Sequence, residues 1–372
     1  MSVPPIPATA VVAKPKRNLG NKILRFSAIS IAVLALLVGT LIALLYRQAL
    51  TTERPVGFQV VQVRSSEAAP MTMGIWYPSN AAVSAQWLGS QFMQVAANGP
   101  VTGQQLPLIV ISHGTGGGIV SHADLALALA AAGYVVAAPM HSDNYLDQSS
   151  VGSPAYFTGR TAQLRSAIDY MLQQWPAMAQ LDAGRIGVYG FSIGAFTALT
   201  AAGAQPELRG VAQYCATQSE FACEMLRQSK SFLLGTDLPD GFDQFSKDGR
   251  IKALVLAAPG LGFSLNNPAA LSQVKVPVQL WQGEQDDAVP DATNAKVVRD
   301  QLGSRVEFHQ VKGAAHLSFL LPCGLLKLTP LCTDPAGFDR RLFHTSMNQQ
   351  VVRFFDQQLA QPSRPALSTS GV

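Results

Sequence analysis

Residues 185–202 read RIGVYGFSIGAFTALTAA, a short apolar strand that breaks at Gly190-Phe191-Ser192-Ile193-Gly194 and continues as an Ala-rich helix. Gly-x-Ser-x-Gly between a strand and a helix is the pattern of a nucleophile elbow. A serine held at so sharp a turn has strained backbone angles, and side chains two residues to either side would collide with the neighbouring strand or the helix. Glycine removes the collision. The turn leaves the Ser192 hydroxyl exposed at the carboxyl end of the sheet, with the Ile193 amide at a helix N-terminus, where partial positive charge favours an oxyanion. In a chain with 31 glycines the pentapeptide alone is modest evidence, so the reading depends on what surrounds it.

Upstream, residues 106–112 (LPLIVIS) form an apolar strand that empties into His113-Gly114-Thr115-Gly116-Gly117-Gly118. This is not a dinucleotide fingerprint, because the Gly-x-Gly-x-x-Gly spacing and a later ribose-binding acid are missing. Acyl transfer at Ser192 needs a second oxyanion donor from such a loop, and the Thr115 amide is the candidate. Residues 121–132 read as a helix capped by Ser121 and ended by Gly133, and residues 134–139 as the next strand. These are βαβ units, so the sheet is mostly parallel, doubly wound, and functional at the carboxyl ends of its strands. His141, Ser142, Asp143 and Asn144 follow the second of these strands and either line that edge or form a polar loop.

Residues 57–64 and 71–77 alternate well enough for an antiparallel hairpin at a sheet edge. Residues 158–174 form an amphipathic helix with Leu164, Ile168, Met171 and Leu172 on one face. After the elbow, residues 205–249 interrupt the βα rhythm with helix-like segments and a Gly- and Asp-rich loop, read as a cap insertion. Residues 250–258 and 276–283 are core strands, 292–302 a helix, 306–311 the last strand, and a final helix lies near 348–359.

Serine at its ordinary pKa is a poor nucleophile and needs a neutral imidazole as base and a carboxylate to orient it. Of six histidines, His316 sits on the loop after the last strand, which returns to the carboxyl edge. His309 falls inside an alternating strand, His113 beside the glycine-rich turn, and His122 and His344 on helical stretches. For the acid, Asp286 lies three residues past Gly283, where a strand has just ended, and Asp287 is its competitor.

Strand-HGTGGG, GFSIG, GEQDDAVP and GAAHLSFL, in this order, resemble the α/β-hydrolase superfamily. The nearest groups are the dienelactone hydrolase-like enzymes, the platelet-activating-factor acetylhydrolases and bacterial polyester hydrolases. The resemblance runs from Phe58 to Leu359 and implies a Ser192, Asp286, His316 triad, the Thr115 and Ile193 amides as oxyanion hole, hydrolysis of carboxylic esters, and no cofactor or metal. Dienelactone hydrolases proper carry cysteine where this chain has Ser192. The acetylhydrolases place histidine before the serine, where this chain has Phe191, and their acid after a strand that here ends Ala257-Ala258-Pro259. Neither a lactone nor a phospholipid substrate therefore carries over. A peptidase or amidase uses the same machinery, and a non-catalytic envelope protein could keep the fold for binding.

The whole chain bounds the setting. Hydrophobic residues are 48% of its 372 residues and charged residues 13%. The formal charge of +4 is concentrated at one end. Of the 27 Lys and Arg, Lys14, Lys16, Arg17, Lys22 and Arg25 precede a long apolar run, which leaves 22 against 23 acidic residues. No basic stripe suggests a nucleic-acid partner. The run, residues 26–46, holds 21 residues without a charge and spans about 32 Å as a helix, enough for a bilayer core. No convincing cleavage site follows it, so residues 23–46 are expected to be an uncleaved single-pass anchor rather than a cleaved signal. With the five basic residues on its near side, the N-terminus is expected in the cytoplasm and the body in a bacterial periplasm.

Four cysteines fall in two close pairs, Cys215 with Cys223 and Cys323 with Cys332, at spacings that fit no zinc or redox motif. They are two disulfides in an oxidising compartment and four buried thiols otherwise. Eight residues rise about 12 Å along a straight helix, so a bond from Cys215 to Cys223 requires a bend near Gln218 and Ser219. The expected layout is a disordered segment 1–22, the anchor 23–46, an α/β-hydrolase domain over 51–360 and a disordered tail over 361–372.

Overall fold

The computed structural model describes Met1 and residues 19–64, 70–88, 91–324 and 330–360. The expected disordered tail, 361–372, and most of segment 1–22 lie outside these residues. The chain divides into two units, residues 1–48 and 49–372.

The first unit is one helix, α1 (Leu19–Arg47), which begins four residues before the anchor read from the sequence. Within it, Leu24–Leu44 is long and apolar enough to cross a membrane, a property that signal sequences share. Its apolar side chains, Leu36 and Phe26 among them, are exposed all round. In water that surface would be costly, and a lipid environment removes the cost.

The second unit is built on a ten-stranded sheet in the order β10-β9-β8-β7-β5-β6-β2-β1-β4-β3. In chain order the strands are β1 (Val56–Val63), β2 (Met71–Pro78), β3 (Ser84–Leu88), β4 (Gln91–Ala97), β5 (Leu106–Ser112), β6 (Val135–Pro139), β7 (Leu181–Phe191), β8 (Ile251–Ala257), β9 (Val278–Gly283) and β10 (Val306–Val311). From β6 through β10 every neighbouring pair is parallel, whereas β1, β2 and β6 pair antiparallel, as do β3 and β4. The helices are α2 (Ala123–Ala132), α3 (Arg160–Gln173), α4 (Ile193–Ala201), α5 (Val211–Thr217), α6 (Phe221–Gln228), α7 (Ala295–Leu302) and α8 (Arg340–Gln358).

Alternation along each strand divides the core between two faces. Leu108, Val110, Val188, Leu254 and Leu280 pack with α3, α4 and α7 on one face. Ile109, Tyr189, Val255 and Trp281 pack with α2 and α8 on the other. The chain runs from β5 through α2 to β6, then back across through α3 to β7 on the far side of β5. This reversal makes the carboxyl ends of β5 and β7 the point where successive connections part to opposite sides of the sheet, the place where open α/β sheets bind their ligands.

Four readings need correction. The β1–β2 hairpin is not the edge, because β4 pairs with β1 and β3 lies outside it. Those two strands were not anticipated: β3 has no buried residue and carries no clean apolar alternation. Helix α2 begins at Ala123, because the Ser121 hydroxyl accepts the Gly118 amide instead of capping the helix. Helix α3 begins at Arg160, after a single π-turn (Ala155–Gly159). Helix α8 begins at Arg340, well before residue 348, capped by the Asp339 carboxylate on the Leu342 amide. Its first two buried positions are Arg340 and His344, so the apolar period begins only at Met347.

The insertion at 205–249 contains α5 and α6 and packs its own apolar cluster against Ile193, Phe196, Tyr156 and Phe157. Cys215 and Cys223 are bonded with their Cα atoms 5.2 Å apart. The bend lies where the arithmetic required it: α5 ends at Thr217 and Gln218 is extended. Cys323 is bonded to Cys332. Each closed loop of this size stabilises the fold by roughly 2.5 kcal/mol in the chain-entropy account.

Candidate active site

At the end of β7 the Ser192 amide still donates to the Ala257 carbonyl of β8 (3.0 Å), after which the backbone turns at φ 58°. That is the left-handed region, which non-glycine residues enter only when the surroundings hold them there. A Cβ on Gly190 would stand 2.2 Å from the Gly194 carbonyl oxygen, and one on Gly194 would stand 2.0 Å from the Ser112 carbonyl oxygen of β5. The two glycines thus let α4 start directly over the strand ends. The Ser192 carbonyl is occupied by the Ala195 amide (2.9 Å) and the Gly260 amide (3.1 Å). The peptide is planar, so the Ile193 N–H points the opposite way from that carbonyl.

Ser192 Oγ lies 3.0 Å from His316 Nε2, and His316 Nδ1 lies 2.9 Å from Asp286 Oδ2. The Asp286 Oδ1 atom accepts the Val289 amide at 3.0 Å, which fixes the carboxylate plane. Asp286 is buried, whereas Asp287 is exposed and outside this run. The loops after β9 and β10 are brought together by close backbone packing. The Gln285 amide donates to the Ala314 carbonyl (2.9 Å), and a Cβ on Gly283 would come within 2.5 Å of that oxygen.

The glycine-rich loop after β5 completes the arrangement. The Gly114 carbonyl accepts from His113 Nδ1 (2.7 Å) and from the Gly117 amide (3.0 Å), so the Thr115 N–H of the same peptide points away from both. A Cβ on Gly114 would stand 3.4 Å from Ser192 Cβ and 2.8 Å from the Phe191 ring, which puts this peptide against the serine. Among the described residues no hydrogen bond occupies the Thr115 or the Ile193 amide. The site therefore offers a hydroxyl, an imidazole aimed at it, a carboxylate behind the imidazole and two unengaged amides beside it. Among the described residues, no group of three His, Cys, Asp or Glu side chains is placed to hold a metal.

A family model described as platelet-activating factor acetylhydrolase, isoform II, matches residues 73–158, a stretch that runs from β2 through the glycine-rich loop to the π-turn and stops short of Ser192. The structure of a ferulic acid esterase from Streptomyces cinnamoneus superposes with a TM-score of 0.56 over 85% of this chain and 95% of that one, at 18% identity. The chain has the α/β-hydrolase fold.

In this fold the other histidines are committed elsewhere. Burial, aided by the charge of Arg160, holds His113 well below the ordinary histidine range, and the ring is neutral: Nδ1 donates to Gly114 while Nε2 accepts from the His141 amide (2.9 Å). His141 is held down by the same two causes and lies between the Ser112 hydroxyl (2.9 Å) and Gln163 Oε1 (3.0 Å). Burial pushes His122 down to about 4. His309 stacks on Trp281 at the far edge of the sheet.

His344 supports the His316 loop from α8. It bridges the Asp124 carboxylate (2.7 Å) and the Ser318 carbonyl (2.9 Å), and Ser318 Oγ accepts the Ala315 amide and donates to Asp334, which pairs with Arg340. Pattern reading missed this scaffold, as it missed Arg160. The available signal was register: Arg160 precedes Leu164, Ala167, Ile168 and Met171 at helical spacing, a charge on the buried face.

Proposed function

We propose that this α/β-hydrolase is a serine hydrolase that cleaves carboxylic esters through an acyl-enzyme on Ser192. The observation that carries the reading is the unbroken hydrogen-bonded run from Ser192 through His316 to Asp286 beside two unengaged amides. The likeness to the acetylhydrolase family model over 73–158 and to a ferulic acid esterase supports an ester as the substrate.

The geometry supports the following steps. Ser192 Oγ attacks the ester carbonyl carbon as His316 Nε2 takes its proton, and the carbonyl electron pair moves onto oxygen, where the Thr115 and Ile193 amides stabilise it. Asp286 holds the Nδ1–H tautomer and stabilises the imidazolium. Collapse of the tetrahedral intermediate expels the alcohol, which takes the proton from Nε2. Water then attacks the acyl-enzyme by the same route, with His316 as base, and releases the acid and Ser192.

The body is read as periplasmic, held by α1 with its N-terminus in the cytoplasm. Five basic residues stand before the apolar span and two disulfides cross-link the body.

A fluorophosphonate probe with the purified chain tests the class. Covalent labelling of the wild type is expected, lost completely in Ser192→Ala, together with hydrolysis of short-chain p-nitrophenyl esters. A folded wild type that neither labels nor turns over ester is not an enzyme of this kind.

A further inference from the structure

Arg160 is 0% exposed, as is the Asp143 carboxylate with which it pairs. A guanidinium taken wholly out of water is expensive unless every donor finds an acceptor, and an apolar side chain would fill the space at less cost. Its acceptors lie on three elements. One Nη donates to the His113 carbonyl in the glycine-rich loop, the other meets Asp143 after β6, and Nε donates to Thr197 Oγ1 in α4 (3.2 Å). Two of these elements carry the amides assigned above to the oxyanion.

The links run from the guanidinium to both amides. In α4, the Thr197 hydroxyl that accepts from Arg160 donates to the Ile193 carbonyl (2.9 Å), so Arg160 bears on the first turn of the helix whose leading N–H faces the oxyanion. In the loop, the His113 carbonyl belongs to the peptide immediately before the Gly114–Thr115 peptide, whose own carbonyl is held by His113 Nδ1 and the Gly117 amide. With both carbonyls held, the direction of the Thr115 N–H is set. Asp143 adds a third tie, because its backbone carbonyl accepts the Gly116 amide at 3.0 Å.

We propose that Arg160, held by Asp143, is the positioning residue of the oxyanion hole, setting the Thr115 and Ile193 amides at one distance from each other through His113 and Thr197. This rests on the ester-hydrolase reading above. A planar fork fixes the angle between the loop and the helix, whereas an ammonium at the same place satisfies charge without fixing that angle. Arg160 touches no reacting atom. Its loss should therefore appear in transition-state binding and leave substrate binding nearly intact.

The test compares wild type, Arg160→Lys, and the double variant Arg160→Met with Asp143→Leu, which removes both charges and so leaves no buried ion unpaired. Thermal melting, kcat and KM for p-nitrophenyl butyrate, and the inhibition constant of an alkyl trifluoromethyl ketone are measured on each. The double variant is expected to melt close to wild type. Its kcat is expected to fall about 10²- to 10³-fold with KM changed less than about threefold, the loss typical of one misplaced oxyanion donor. Trifluoromethyl ketone affinity should fall in parallel with kcat/KM. Arg160→Lys should lose at least about tenfold in kcat while remaining folded.

A folded double variant with wild-type kcat, or a loss confined to KM, overturns the positioning role and leaves the ester-hydrolase reading standing. If the double variant does not fold, Arg160→Lys decides, and wild-type kcat there overturns the proposal. A folded wild type that hydrolyses no ester overturns both.

Discussion

Replacing His316 by alanine is expected to lower kcat for ester hydrolysis about 10⁵- to 10⁶-fold, with the chain folded and KM little changed, because base and nucleophile act as one unit. Ser192 Oγ would lose the acceptor now 3.0 Å away, and no other imidazole can replace it. Both ring nitrogens of His113 and of His141 are engaged, and both rings are buried. His122 is buried, with its ring packed 5.4 Å from that of Phe191 and 5.0 Å from that of Tyr189. Steady-state turnover of a p-nitrophenyl ester, with circular dichroism to verify folding, measures the loss. A folded variant that keeps more than about a hundredth of wild-type kcat contradicts the base assignment.

Asp286→Asn is expected to cost about 10⁴ in kcat, and Asp287→Asn less than about twofold. The loss comes from where the hydrogens sit. Asparagine at 286 keeps its carbonyl oxygen on the Val289 amide, which turns its NH₂ toward His316 Nδ1. Nδ1 must then accept, so the ring proton moves to Nε2 and faces Ser192, where a lone pair is needed. Geometry survives and the tautomer is wrong. Asp287 is exposed and makes no such contact, so its amide should be silent. Turnover of the two variants under identical conditions separates them, and the reverse order would move the acid by one residue.

What was legible follows from burial. Strands β5, β8, β9 and β10 are short runs bounded by Gly, Pro or charge, and the parallel strands at the centre are covered on both faces, so their apolar character is nearly continuous. The elbow was legible because its two glycines answer to specific collisions, with the helix backbone at Gly190 and with β5 at Gly194. Asp286 and His316, read by counting from sharp strand ends, lie in one hydrogen-bonded run with Ser192.

The unread parts share the opposite property. β3 is an edge strand with no buried residue, and the first two turns of α8 bury Arg340 and His344 where pattern reading looks for Leu or Phe. Arg160 and Asp143 are the same difficulty at the centre of the molecule. Hydrophobic periodicity is silent about a buried charge, and only three-dimensional pairing tells a solvated loop carboxylate from one at 0% exposure. The polar residues after β6 looked equally suited to line a cleft or to fill a loop. Instead, His141 and Asp143 are buried beneath the glycine-rich loop and tie it down.

The central claim is that an acyl group passes through Ser192. Intact-mass spectrometry of the chain, acid-quenched during turnover of a slowly deacylated aryl ester, tests it most directly. The account predicts a mass increase of one acyl group per chain, located on the peptide that contains Ser192 and lost with the kinetics of product release. An ester-hydrolysing chain that carries the acyl group on another residue, or on none while the released alcohol shows a burst, would contradict it.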